Sequence, residues 1–366
     1  MGSSVFDSVD NATPLRVTRA TSPVAAAEGY QEHIQLFRAV AITLVVCTHI
    51  VPSLDWTATP LLGRAIEGLA HHSSIYFVFI AGYLFQHLSN RFAYRSYLKR
   101  KLVTVIVPYC LLSIPALVIF TALVERTEVW PWFYELEVWQ QVGLFLITGR
   151  HLAPLWFIPT IAILYVLAPA LLVVDKNTRL YWVIPPLLIL STYLGREGPY
   201  GPINAAVYLL PVYLVGMACS RFKDASLGLV RRWWGLLALV AVASLVGFVA
   251  DQDASTHYQM PMKLALALLM MAGLSNWRWG LETSLHWIAE VSFGIYFIHA
   301  YVISAIKIAT VYVVHGRIYL GEGSNDLPGT PLVLLSYAII VLALTAIIIR
   351  TAQRQFGPYS RMIVGA

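Results

Sequence analysis

Ten apolar runs of membrane-spanning length constrain this chain more than any other feature of it. They fall at about 34–54, 72–90, 102–124, 154–174, 181–194, 204–220, 233–250, 262–276, 285–312 and 331–349, the fifth and eighth being short. A helix needs roughly 20 apolar residues to cross a hydrocarbon layer about 30 Å thick, and lipid offers backbone groups no other partners. The expected fold class is therefore an all-α polytopic membrane protein of about ten transmembrane helices. Composition agrees, because 58% hydrophobic residues, 12% charged residues and a mean hydropathy of +0.68 exclude an ordinary soluble globule.

Charge supplies the orientation. With the N-terminus inside, seventeen of the 25 Lys and Arg fall on inner segments and six on outer ones, which places both termini in the cytoplasm. The same bias accounts for the net charge of +6, so nucleic acid is not expected as a partner. Residues 1–33 hold Arg16 and Arg19 among Ser, Thr, Ala and Pro without the apolar core of a signal peptide. They read as a flexible cytoplasmic tail, followed by a membrane domain over 34–350 and a second cytoplasmic tail over 351–366. Cys47, Cys110 and Cys219 have no paired spacing, and no metal site is expected. Adjacent His71 and His72 would diverge by 100° in a helix.

Prolines interrupt several runs, among them Pro108, Pro115, Pro159, Pro169 and Pro211. Such breaks are tolerated where freed backbone groups meet protein or a cavity, so an internal cavity is expected. The outer segment at about 125–153 is too polar at its start to span and too apolar at its end to be a free loop. It is expected to lie in the interface or to re-enter.

Polar residues inside the runs carry the functional argument. In "FRAVAITLVVCTHI", Arg38 and His49 are eleven positions apart, which puts them on one helix face roughly 16 Å from each other. An ionisable residue at that depth costs a few kcal/mol and usually faces a cavity or partner. A second intramembrane histidine, His299 in "FGIYFIHAYVI", reaches a depth similar to His49. A neutral imidazole there can act as a general base or can simply be a packed core residue. Arg91, Arg95, Lys99, Arg100 and Lys101 fill an inner loop beside Arg38, either setting topology or receiving a phosphorylated cytoplasmic ligand. Trp130, Trp132, Phe133, Tyr134 and Trp139 could stack on sugar faces, cover a site or form an interfacial belt. Neither a phosphate-binding loop nor a GxSxG elbow is present.

Five stretches in order then resemble the acyltransferase-3 family of integral membrane O-acyltransferases, which modify bacterial polysaccharides. They are "LFRAVAITLVVCTHI", "IYFVFIAGYLF", "YLKRKLVTVIVPY", "PLWFIPTIAILYVLAP" and "VSFGIYFIHAYVI". The family's small Ser-Gly turn stands here as Ala81-Gly82, its second basic residue as Thr104, and a histidine common before "LWF" as Pro154, with His151 nearby. The resemblance implies acetyl transfer from cytoplasmic acetyl-CoA, a co-substrate and not a resident cofactor, to a glycan or lipid-linked glycan. It further implies a bacterial inner membrane and other polysaccharide-biosynthesis proteins as partners. Under it, His49 and Arg38 are the catalytic pair, with His299 and His151 secondary. The donor falls to Arg38, Arg95, Lys99, Arg100 and Lys101, and the acceptor to Trp156, Trp132, Tyr134 and Trp139. A flippase or transporter of a lipid-linked sugar, or a subunit of an export complex, would use similar features without making a bond.

Overall fold

A computed structural model describes residues 32–127, 129–196, 201–251, 256–275, 282–316 and 327–366. Helices make up nearly all of it; the strands β1 (Leu54–Asp55) and β2 (Leu327–Pro328) pair in parallel over two residues each. Five helical stretches are long and apolar enough to cross a membrane: Glu32–Ser53, Tyr94–Leu123, Pro202–Arg221, Ser292–His315 and Pro331–Ile363. Two bent pairs bring the number to seven among the described residues if each counts as one span. The chain is thus a polytopic all-α membrane protein. The expected tail over 1–33 lies almost wholly outside the described residues.

Helix α1 (Glu32–Ile50) is the centre of the core, with Ile34, Phe37, Ala41, Ile42 and Val46 fully buried. It ends where Pro52 enters a 3₁₀ turn, Val51–Ser53, because proline offers no N–H to continue the ladder. Two shorter helices follow, α2 (Pro60–Ala70) and α3 (Ser74–His87), separated by a sharp turn at His71–Ser73. His72 occupies that turn at φ 57°, in the left-handed region that few side chains other than Gly adopt.

The basic stretch expected as a loop is helical. Helix α4 (Tyr94–Lys101) runs without a stop into a π turn, Leu102–Ile106, and then into α5 (Val107–Val118). Nothing in "YLKRKLVTVIV" breaks a helix before Pro108, and Lys, Arg and Leu are good helix formers. Pro108 cannot donate to Thr104, and Pro115 cannot donate to Leu111; π turns at Leu102–Ile106 and Ile119–Leu123 lie beside these breaks.

The segment over 125–153 forms a 3₁₀ turn at Phe133–Glu135 and helix α6 (Val138–Thr148), which is too short to cross a bilayer. A Glu137–Gln140 capping box starts α6, and Gly149 at φ 71° ends it. Next come α7 (Phe157–Val166) and α8 (Ala168–Lys176), bent by 57°. Pro169 accounts for the bend, since its ring would meet the carbonyl of Tyr165. Helix α9 (Ile184–Leu194) precedes α10 (Pro202–Arg221), which packs along α3 more closely than ordinary side chains allow. A Cβ on Gly82 would overlap the Tyr213 carbonyl oxygen, and one on Gly216 would overlap that of Phe79. The glycine of the Ala81-Gly82 pair therefore lets two backbones touch.

A charged helix, α11 (Lys223–Arg232), turns by 70° into the apolar α12 (Trp234–Ala250), where the sequence changes from polar to lipid-like. Helices α13 (Gln259–Leu274), α14 (Glu282–Glu290), α15 (Ser292–His315) and α16 (Pro331–Phe356) complete the bundle. Residues beyond Phe356 end in a short helix, α17 (Ser360–Ile363), packed against α5, with Val364 and Ala366 buried.

Candidate functional site

The last turn of α1 carries His49 to a cavity of about 280 Å³. The helix end is fixed on both sides, since the Thr48 hydroxyl donates to the Ala70 carbonyl at 2.5 Å and the Trp56 indole to Val51 at 3.1 Å. His71, His72 and Ser73 wall the cavity from the turn after α2, Pro154 and Trp156 from the turn before α7, and Tyr296 from α15. Tyr296 donates its hydroxyl to the Pro154 carbonyl, so two of these walls are locked together.

His299 stands one turn beyond Tyr296, fully buried, its ring 5.3 Å from that of His49 and tilted by 43°. Its Nδ1 lies 2.9 Å from the Ile295 carbonyl, which can only accept. The proton is therefore on Nδ1, and Nε2 is a bare acceptor with no hydrogen-bond partner among the described residues. The depth match between these two histidines, expected from helix rise alone, corresponds to direct ring contact.

Two basic side chains at this end carry no distinguishing signal in the sequence. Arg196 lies over the Trp156 ring at 3.5 Å, and burial pushes its guanidinium down to about 10, still charged at neutral pH. Lys263 is fully buried in α13, donating its ammonium to the Leu69 carbonyl in the last turn of α2, where helix carbonyls lack partners. Burial, aided by the charges of Arg196, Lys263 and Arg64, pushes the His71 imidazole down to about 4, which keeps it neutral. His71 and His72 sit not in a helix but in the turn, with ring centroids 4.3 Å apart. Among the described residues, no three His, Cys, Asp or Glu side chains converge as a metal site would require.

Arg38, three turns down α1, belongs to a different neighbourhood. It is half-buried and within electrostatic reach of Lys101, whose ammonium lies over the Tyr165 ring at 4.7 Å and near Tyr97 at 5.6 Å. Arg95, Lys99 and Arg100 are exposed on the same helix. The structure thus joins Arg38 to Lys101 at one end of α1 and His49 to His299 at the other.

The remaining expected residues separate. His151 is fully buried outside the histidine cavity, with Nδ1 3.0 Å from the Phe145 carbonyl and Nε2 2.7 Å from the Ser113 hydroxyl. Burial pushes its imidazole down to about 4, and the contacts of its two ring nitrogens tie α5 to α6. Trp156 lines the cavity. Tyr134 accepts the Arg126 N–H at 2.5 Å and donates to Phe120 at 3.1 Å. Trp132 is exposed and stacked on Trp130, while Trp139 is 73% exposed on α6.

These positions describe a chamber with the His49 imidazole at its wall, the His299 imidazole beside that, and the Arg196 guanidinium at its edge. A family model described as an acyltransferase domain, Acyl_transf_3, matches residues 32–350. Comparison with curated proteins and with solved structures finds no match.

Proposed function

The chain belongs to the acyltransferase-3 family, and from that premise we propose that it is a membrane O-acyltransferase using acetyl-CoA to acetylate a hydroxyl of an extracytoplasmic or lipid-linked glycan. The observation that carries this reading is the division of α1 between a basic end and a histidine end. A thioester donor with a multiply anionic head needs cations at one end of a path, and its carbonyl needs a base at the other. Arg38 and Lys101 meet the first need, with Arg95, Lys99 and Arg100 as the approach; His49 meets the second.

In the proposed step His49 takes the proton of the acceptor hydroxyl as its oxygen attacks the thioester carbonyl carbon. The carbon–sulfur bond then breaks, the acetyl group stays on the acceptor oxygen, and the proton passes from His49 to the departing coenzyme A thiolate. His299 is a positioning residue: its fully buried ring lies 5.3 Å from that of His49 and limits how the His49 imidazole can turn. Arg38 stays charged throughout and orients the donor. Trp156 offers an aromatic face to the acceptor ring.

In this account the shorter helices α3, α9 and α13 also span, which gives ten spans, cytoplasmic termini and a place in a bacterial inner membrane. The test is coenzyme A release by purified protein in lipid nanodiscs supplied with acetyl-CoA and a glycan acceptor. Acceptor-dependent release supports the reading; a protein that moves lipid-linked saccharide across a bilayer without release overturns it in favour of a flippase.

A further inference from the structure

In the proposed transfer, negative charge gathers on the thioester carbonyl oxygen while the acceptor oxygen joins its carbon, and a fixed donor aimed at that oxygen is among the largest contributions to such a reaction. His49 is not that donor, because it meets the acceptor hydroxyl with a bare nitrogen and keeps the proton for the leaving thiolate. Arg38 is too far away, three turns and roughly 16 Å down α1.

The hydroxyls of the chamber are already engaged. A hydroxyl has one proton, and three in the lining give theirs to main-chain carbonyls: Thr48 and Ser73 to Ala70, and Tyr296 to Pro154. His71 lines the same chamber and its ring enters none of these bonds. It lies within electrostatic reach of His49. Burial keeps it neutral, so it retains one N–H, and a neutral imidazole can polarise a carbonyl.

The turn that carries His71 is fixed to the turn that carries His49. A helix leaves its last carbonyls without partners. At the end of α2, Leu69 receives the Lys263 ammonium from α13, and Ala70 receives Thr48 and Ser73. The bond from Thr48 to Ala70 therefore joins the residue before His49 to the residue before His71. On the other side His72, at φ 57°, sets its ring 4.3 Å from that of His71. A strained backbone of this kind persists only where its surroundings hold it, and such positions cluster at active sites. A larger cavity of about 510 Å³ adjoins the chamber and shares Ala153, Trp156 and Arg196 with it. The Trp156 side thus has room for a saccharide, and the His71 side is left for the smaller acetyl carbonyl.

We propose that His71 is a catalytic residue of the transfer, its imidazole N–H donating to the thioester carbonyl oxygen. As the acceptor oxygen bonds to the carbonyl carbon, the π pair of the carbonyl moves onto that oxygen and the hydrogen bond from His71 strengthens. As the carbon–sulfur bond breaks, the pair returns and no proton leaves His71. This role rests on the acyltransferase reading and adds the group that receives the developing charge.

The test is coenzyme A release by the full chain in nanodiscs, with acetyl-CoA as donor and, as acceptor, cell-envelope glycan of the producing cell freed of O-acyl groups by mild alkali. His71→Leu removes the donor, whereas the amide nitrogens of His71→Asn and His71→Gln stand near the places of Nδ1 and Nε2. His71→Leu is expected to lower kcat by about a hundredfold or more with both KM values within about threefold. One of the two amides is expected to recover at least about tenfold of that loss, which identifies the nitrogen that carries the proton. A dithioester analogue of acetyl-CoA, whose sulfur accepts hydrogen bonds weakly, is expected to slow the wild type severalfold more than His71→Leu; a merely structural role would not move that ratio. A kcat within a few-fold of wild type in monodisperse His71→Leu overturns the proposal, as does a loss confined to KM. If His71→Leu does not fold, the amide variants decide, and oxygen-to-sulfur ratios equal to the wild type in both overturn it. Absence of acceptor-dependent release from the wild type removes the acyltransferase reading and this role with it; equal release by wild type and His71→Leu removes the role of His71 alone.

Discussion

The two ends of α1 solve opposite problems with the same helix. At the Arg38 end, cations are spread along α4 with Arg95, Lys99 and Arg100 exposed, and only Lys101 is tucked over tyrosine rings. At the His49 end, ionisable groups are crowded, buried and held by bonds to main-chain carbonyls: His299 to Ile295 and Lys263 to Leu69. An open, adaptable basic surface suits capture of a flexible anionic donor, whereas a closed arrangement suits a reaction that needs fixed geometry. The difference teaches that charge placed by topology and charge placed by packing need not do the same work, even within one span.

The largest effect expected from breaking the comparison is at the closed end. His49→Ala is predicted to lower acetyl transfer by about a hundredfold or more, the range a general base supplies. His299→Ala is predicted to lose less, with a shifted pH–rate profile and an unchanged donor KM. Rates for His49→Ala within a few-fold of wild type would return both histidines to the role of core residues.

Arg38→Lys comes next. Charge is retained but the planar, two-pronged guanidinium is lost, so donor KM is expected to rise about tenfold with acceptor KM unmoved. A rise in acceptor KM instead would mean that the two ends are not separate sites. Gly82→Leu tests the frame that holds them: pushing a side chain into the Tyr213 carbonyl should lower the melting temperature and both binding functions together, at a cost of about 1–3 kcal/mol.

The acid limb of stability offers a further contrast. The His71 imidazole is neutral when folded and titrates at about 4 instead of near 6.5, so unfolded chains take up its proton first. Its contribution is fully present above pH 6.5 and is lost as pH falls from 6.5 toward 4; His71→Gln should flatten that part of the melting-temperature profile. The smallest effect is expected at Trp139, exposed on α6 and outside both cavity linings, where alanine should change activity less than about twofold.

What the sequence discloses here depends on how far a residue's role is set by its own helix. Arg38 and His49 were legible because eleven residues on a regular helix fix a face and a rise, and His299 because its depth follows from the same arithmetic. The basic run at 95–101 was legible as charge but not as helix, since loops and helix starts at a membrane surface share a composition. Gly82 was visible as a motif residue, yet its reason lies 131 positions away, in the Tyr213 carbonyl of α10. Arg196 and Lys263 could be counted only as outer charges, because their meeting with Trp156 and Leu69 is made by tertiary packing. The same holds for His151, which reads as a family histidine displaced by a few positions and proves to be bonded at both ring nitrogens.

The central claim is that a donor held at the Arg38 end gives its acyl group to an acceptor at the His49 end. It is tested most directly in sealed inverted vesicles carrying glycan acceptor only in the lumen, with labelled acetyl-CoA added outside. The account predicts label on the lumenal glycan with the wild type and none with a well-folded His49→Ala. Equal label in both would contradict the role of His49, and passage of lipid-linked glycan with no label in either would contradict acyl transfer itself.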